Sequence, residues 1–168
     1  MMKKICVLGC PGSGKSTFSR KLHQITDIPL FHLDMLFWNA DKTSVDRETL
    51  RHRVDEVMQN PAWIIDGNYG ATLDQRVSAC DTVFLFNLPA EICLAGVEAR
   101  RGQVRPDIPW IEEKEDPEFT AYIRSFSTEK LPGIRARLED YPHITVIEFR
   151  SHEEADAYLE GLHQRIAN

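Results

Sequence analysis

Residues 9–16 read Gly-Cys-Pro-Gly-Ser-Gly-Lys-Ser, a fit to G-x-x-x-x-G-K-[ST]. Glycines at these spacings let the backbone curl so that successive N–H groups point inward at an anion, and a helix opening directly after them adds its positive end. In such a loop Lys15 reaches the β- and γ-phosphates of a nucleoside triphosphate and Ser16 presents its hydroxyl to Mg²⁺. The candidate nucleotide contacts are therefore Gly9, Pro11, Gly12, Ser13, Gly14, Lys15, Ser16 and Thr17. The flanks agree with the motif. Lys3-Lys4-Ile5-Cys6-Val7-Leu8 before it reads as a short buried strand, and Phe18 and Leu22 after it fall at i, i+4 of a helix.

Two further carboxylates end apolar runs. Asp66 follows Ala62-Trp63-Ile64-Ile65, and a carboxylate there, beside a phosphate loop, suits Mg²⁺ or its water shell. Asp34 follows Phe31-His32-Leu33, where it could accept the proton of an acceptor hydroxyl. His32, a single histidine in an apolar strand, reads as a core residue with a satisfied hydrogen bond. Arg100 and Arg105 open a charged stretch and suit the charge that spreads over a transferring phosphoryl group. Phe37, Trp38, Tyr69 and Trp110 are placed to wall an acceptor pocket, Asn68 is a further candidate acceptor contact, and Arg76, on a helix ten residues past Asp66, could bind an anionic acceptor.

Stepping through the chain, short apolar runs alternate with amphipathic segments. Strands are expected at 5–8, 29–33, 62–65, 82–88 and 144–149, and helices at 15–25, 46–59, 90–101 and from Ser151 onward, where Glu154 completes a capping box. This alternation implies a parallel sheet covered on both faces, with ligands at the carboxyl ends of its strands. The loop, Asp34 and Asp66 should then share one crevice. Residues 100–117 are charged, rich in Pro and poor in periodic apolar residues, which predicts a mobile flap; residues 118–139 read as helical with a break at Leu131-Pro132-Gly133.

A length of 168 residues suits one domain. The formal charge of −6 argues against a general nucleic-acid binder. No apolar run is long enough to span a bilayer, and the apolar stretch near the N-terminus reads as a strand rather than a signal peptide. Four cysteines without C-x-x-C or zinc spacing fit a reduced cytoplasmic protein, with Cys10 inside the loop as a candidate redox position.

The phosphate loop near the start of the chain, Asp66-Gly67 after the third strand and the arginine-started flap resemble the adenylate-kinase-like group of P-loop small-molecule kinases. Phe31-His32-Leu33-Asp34 with Phe37-Trp38, Trp63-Ile64-Ile65-Asp66-Gly67-Asn68-Tyr69, and Arg105-Pro106-Asp107 together resemble the bacterial DNA topology modulation proteins. The resemblance implies an α/β P-loop NTPase three-layer sandwich of strand order 2-3-1-4-5 with a short lid, ATP and Mg²⁺ as cofactors, and Arg100 and Arg105 as lid arginines. It also marks a departure: adenylate kinases follow Asp-Gly with Phe-Pro-Arg, where Asn68-Tyr69-Gly70 stands here, so Arg76 is left as the candidate for an acceptor phosphate. The expectation is a kinase that transfers the γ-phosphoryl group to a small hydroxyl or phosphate acceptor, nucleosides and nucleotides among the candidates. A nucleotide-sensing regulator acting through a protein or DNA partner is the alternative.

Overall fold

Ile5, Cys6, Val7 and Leu8 have no exposure because β1 (Lys4–Gly9) runs through the middle of a sheet. The computed structural model describes residues 1–168 and places β1 between β3 (Trp63–Asp66) and β4 (Thr82–Phe86), with β2 (Leu30–His32) and β5 (Thr145–Phe149) at the edges. The order is β2-β3-β1-β4-β5 and every pair is parallel. β3 and β4 are buried at every position, so helices cover both faces, as a wholly parallel sheet requires.

The helices are α1 (Lys15–Thr26), α2 (Leu33–Phe37), α3 (Arg47–Met58), α4 (Gly70–Ala79), α5 (Ala90–Arg100), α6 (Pro117–Ser125), α7 (Leu131–Glu139) and α8 (His152–Ala167). None is long and apolar enough to cross a membrane. Local chemistry sets their starts. Asp46 accepts from the Thr49 N–H at 2.7 Å to cap α3, and Ser151 accepts from the Glu154 N–H at 3.2 Å to cap α8. One aromatic stack ties α1 and α8 to the sheet: Phe18 stands edge-on to Phe84 at 4.9 Å and to Phe86 at 5.2 Å, and Tyr158 edge-on to Phe84 at 5.1 Å.

Three local features differ from the expectations. The second strand stops at His32, and α2 begins at Leu33, so Asp34 occupies the first turn of a short helix instead of ending a strand. The expected break at Leu131-Pro132-Gly133 is a widened turn. Phe126–Lys130 is π-helical, the Leu131 N–H donates to the Phe126 carbonyl, and Pro132 falls in the first turn of α7, where its missing N–H costs nothing. Residues 101–116 form no regular element, as expected of the flap, yet Asp107 and Ile108 within them are each only 7% exposed, so the flap is anchored in the body of the protein.

Candidate active site

The phosphate loop is shaped by its own carbonyl at Cys10. That oxygen accepts from the Ser13 N–H at 3.2 Å, the Ser13 hydroxyl at 2.5 Å and Lys15 Nζ at 3.0 Å. Ser13 therefore fixes the turn from inside, and Lys15 folds back along the loop, where burial lowers its pKa against the pull of Asp66 and Asp34. Gly12 and Gly14 have φ of 79° and 95°, the left-handed region that a Cβ disfavours. No side chain caps α1 at Gly14, so its first-turn N–H groups remain open to an anion. A Cβ on Gly12 would collide with the Cys93 carbonyl, and one on Gly96 with the Gly12 carbonyl; α5 thus seats the loop by backbone contact at two glycines. Cys10 is buried, and hydrogen bonding with the Cys93 thiol together with burial pushes its pKa up, which keeps it a protonated thiol rather than a reactive thiolate.

Asn68 clamps the loop at its start. Its amide oxygen accepts from the Gly9 N–H at 2.9 Å and its amide nitrogen donates to the Gly9 carbonyl at 2.7 Å. Asn68 is thus a strut of the loop, and the expectation of an acceptor contact is corrected. The same holds for Arg76. It has no exposure, and its guanidinium donates to Thr72 Oγ1 at 3.0 Å, the Gly67 carbonyl at 3.0 Å and the Asn68 and Tyr69 carbonyls at 2.7 and 3.2 Å. The side chain points inward to knit residues 67–69 to α4, so its donors are engaged within the chain.

Ser16 and Asp66 are the two oxygen donors expected on the metal side. The Ser16 hydroxyl oxygen accepts from Arg20 Nη1 at 2.7 Å, a neighbour that sequence reading missed. Asp66 is 6% exposed and holds His32 Nδ1 at 2.7 Å with Oδ2, leaving Oδ1 without a side-chain partner. One carboxylate and one hydroxyl fit Mg²⁺, which keeps most of its waters and takes substrate phosphates as further ligands.

Across from the loop, Asp34 accepts a hydrogen bond from the Tyr69 hydroxyl. Burial raises the Asp34 pKa, while Tyr69 and the Lys15 charge pull it down. The rings expected as a wall do meet: Tyr69 to Phe37 at 4.8 Å, Phe37 to Trp38 at 4.8 Å, and Trp38 to Trp110 of the flap at 4.8 Å with planes at 89°. All four rings are half-buried and so reachable.

In the flap, Arg105 grips Asp107 through Nε at 3.0 Å and Nη2 at 2.7 Å, and its Nη1 lies 3.1 Å from Glu112 Oε1. Burial opposes the Arg105 charge, but Asp107 and Glu112 hold its pKa above the ordinary value. Arg100 Nε lies 3.5 Å from Glu112 Oε2, and burial and the neighbouring Arg105 lower its pKa. Asp107 escaped sequence reading, as did His32 as a partner of Asp66. The signal for the second was present: His32 and Asp66 end adjacent parallel strands, so their side chains must align.

A separate polar groove of about 550 Å³ lies between α3 and α4, lined by Arg47, Arg51, Asp55, Asp74, Gln75 and Arg137 among others. It contains no residue of the loop or flap.

No protein-family profile and no curated protein matches the chain. Solved structures do. Shikimate kinase from Bacteroides thetaiotaomicron superposes with a TM-score of 0.62 at 17% identity, covering 100% of both chains. Shikimate kinase from Acinetobacter baumannii, solved in complex with shikimate, gives 0.66 at 16% identity over 100% of this chain and 95% of the other. Shikimate kinase from Aquifex aeolicus gives 0.54 at 13% identity over 97% and 95%. At these identities the likeness concerns the backbone: this chain has the P-loop fold that those small-molecule kinases share, with the sheet order 2-3-1-4-5.

Proposed function

We propose that the protein is an ATP-dependent phosphotransferase acting on a small-molecule hydroxyl. The observation that carries this reading is the position of Asp34. A half-buried carboxylate, oriented by Tyr69 and within the electrostatic reach of Lys15, stands opposite an open phosphate loop. A module that only binds nucleotide has no use for it.

ATP with Mg²⁺ supplies the phosphoryl group and the charge that screens it. The chain's residues bind and orient. The N–H groups of the loop and of the first turn of α1 hold the phosphates, and Lys15 leaves the Cys10 carbonyl to meet their charge. Ser16 and Asp66 would hold Mg²⁺ through its coordination shell, where the ion would neutralise phosphate charge. Asp34 takes the proton of the acceptor hydroxyl, and Tyr69 keeps the carboxylate aimed. Arg100, whose terminal nitrogens make no hydrogen bond within the chain, is free to turn to the transferring group. The flap, anchored by Asp107 and Ile108 and packed through Trp110 on Trp38, covers one side of these groups and limits the access of water.

One fold neighbour was solved with shikimate, a hydroxylated carboxylate, which makes that acid the anionic reference in an acceptor assay. The three segments shared with the topology modulation proteins keep that family as the narrower assignment; its name describes an effect on DNA and not a reaction. A net charge of −6 favours a small-molecule partner over duplex DNA, and a cytoplasmic site of action agrees with four reduced, buried thiols. The regulator reading has no such observation in its favour.

Calorimetric titration with ATP and Mg²⁺ tests the reading. Lys15→Ala should weaken nucleotide binding on the order of 10–100-fold by removing charge-assisted hydrogen bonds. Equal affinity in the wild type and the variant would sink it.

A further inference from the structure

The acceptor half of the site is short of free positive charge. Arg105 lies within electrostatic reach of Asp34, but both carboxylate oxygens of Asp107 hold that guanidinium at 2.7–3.0 Å, and its remaining nitrogen, which makes no hydrogen bond, is charge-paired with Glu112 at 3.1 Å. Arg76 is sealed beneath residues 67–69. Arg100 keeps its terminal nitrogens free and lies within electrostatic reach of Lys15 and Asp34 alike, the place of the group in transfer rather than of the far end of an acceptor. Across Asp34, Asp107 and Glu112 against Arg100 and Arg105, the carboxylates outnumber the guanidinium groups by one.

What the acceptor half offers instead is ring surface. Tyr69, Phe37, Trp38 and Trp110 form a continuous series beside Asp34, with successive planes steeply inclined and edges meeting faces. Ring faces carry negative potential and accept a flat group by stacking or a cation by its charge; they do not attract an anion. An anionic acceptor would also bring its charge beside the carboxylate that must ionise to take the hydroxyl proton.

From this juxtaposition we infer that the acceptor is an alcohol without an anionic group, its flat or cationic part held by the Trp38–Trp110 rings and its hydroxyl by Asp34. The inference rests on the phosphotransferase reading and gives the substrate class of that same site. Nucleosides and amino alcohols both have this chemistry; nucleoside monophosphates and hydroxy acids do not. In the reaction, the acceptor oxygen forms the new bond to the γ-phosphorus, the bond from that phosphorus to the bridging oxygen breaks, ADP leaves with the electron pair, and the hydroxyl proton passes to Asp34.

Paired acceptors decide the matter. The full chain, saturated with a nonhydrolysable ATP analogue and Mg²⁺, is titrated while its tryptophan fluorescence is followed. Thymidine and adenosine are compared with their 5′-monophosphates, and ethanolamine and serinol with glycolate and glycerate. Within at least one source, the uncharged or cationic member should bind about tenfold or more tighter than its anionic partner. Which pair responds separates the nucleoside source from the amino-alcohol source. Asp107→Asn, which releases Arg105, should narrow that ratio. Anionic members that bind as well or better overturn the inference, as does a panel in which no non-anionic alcohol binds at millimolar concentration. Binding of the ATP analogue is read first in the same sample. Its absence would instead sink the phosphotransferase reading.

Discussion

His32 Nδ1 lies 2.7 Å from Asp66 Oδ2, and the two residues face each other directly in the parallel register of β2 and β3. The pairing holds one carboxylate oxygen and leaves the other without a side-chain partner, open to a metal's water shell on the proposed reading. His32 is thus a positioning residue. His32→Ala should raise the Mg²⁺ concentration needed for tight nucleotide binding by about 10–100-fold, the usual effect of removing the partner of a ligating carboxylate. At saturating Mg²⁺ the affinity should recover, whereas Asp66→Asn should stay weak at every concentration. Calorimetric ATP titrations across a Mg²⁺ series read both. Identical Mg²⁺ dependence in wild type and His32→Ala would remove His32 from the metal site.

Arg76 makes a different kind of claim, about stability. Its removal leaves the half-buried carbonyls of Gly67, Asn68 and Tyr69 without a shared donor and takes away a side chain that itself has no exposure. Arg76→Met should cost about 3 kcal/mol or more, a fall in Tm of about 6–12 °C for a chain of this size. Lysine should restore little, because a single ammonium cannot reach carbonyls spread around a planar fork. Below the transition the variant should keep its ATP affinity. A loss of acceptor binding with Tm unchanged would return Arg76 to the substrate.

The boundary between what the sequence discloses and what it hides runs through these residues. The loop, the five strands and most helices are legible because each depends on local pattern: glycine spacing, apolar runs and caps. The pairing of Trp38 with Trp110 was also within reach, since both stand near strand ends or in the flap. The direction of Asn68 and Arg76 was not legible, because a polar side chain in a loop or on a helix can turn outward to a ligand or inward to the backbone. Only the packed structure settles which. Gly96 carries no local signal at all. Its meaning comes from Gly12, 84 positions earlier in the chain, whose carbonyl occupies the space a Cβ would need. Asp34 stands out in the sequence at the end of an apolar run, but its helix does not, because the five residues of α2 are too few to show a period.

Asp34 itself gives the sharpest test, because burial and catalysis pull in opposite directions there. Burial raises its pKa in the folded protein, so the folded state binds that proton more tightly than the unfolded chain does. The resulting stabilisation is fully present below the ordinary carboxylate pKa of about 3.9 and is lost as the pH climbs through the raised folded value. Above that window the ionised carboxylate is a net burden on the fold. Asparagine cannot ionise and still accepts the Tyr69 hydrogen bond. Asp34→Asn should therefore match or exceed the wild-type Tm at neutral pH, with the gap closing as the pH falls toward the acid side. The same variant should bind ATP and Mg²⁺ normally and hydrolyse ATP slowly at the wild-type rate, yet lose about 10²–10⁴ in transfer to the acceptor. Thermal melts across pH and an acceptor-dependent ADP assay separate the two effects. A lower Tm at neutral pH would mean that ionised Asp34 holds the structure together, and a loss of ATP·Mg²⁺ affinity equal to that of Asp66→Asn would place it at the metal.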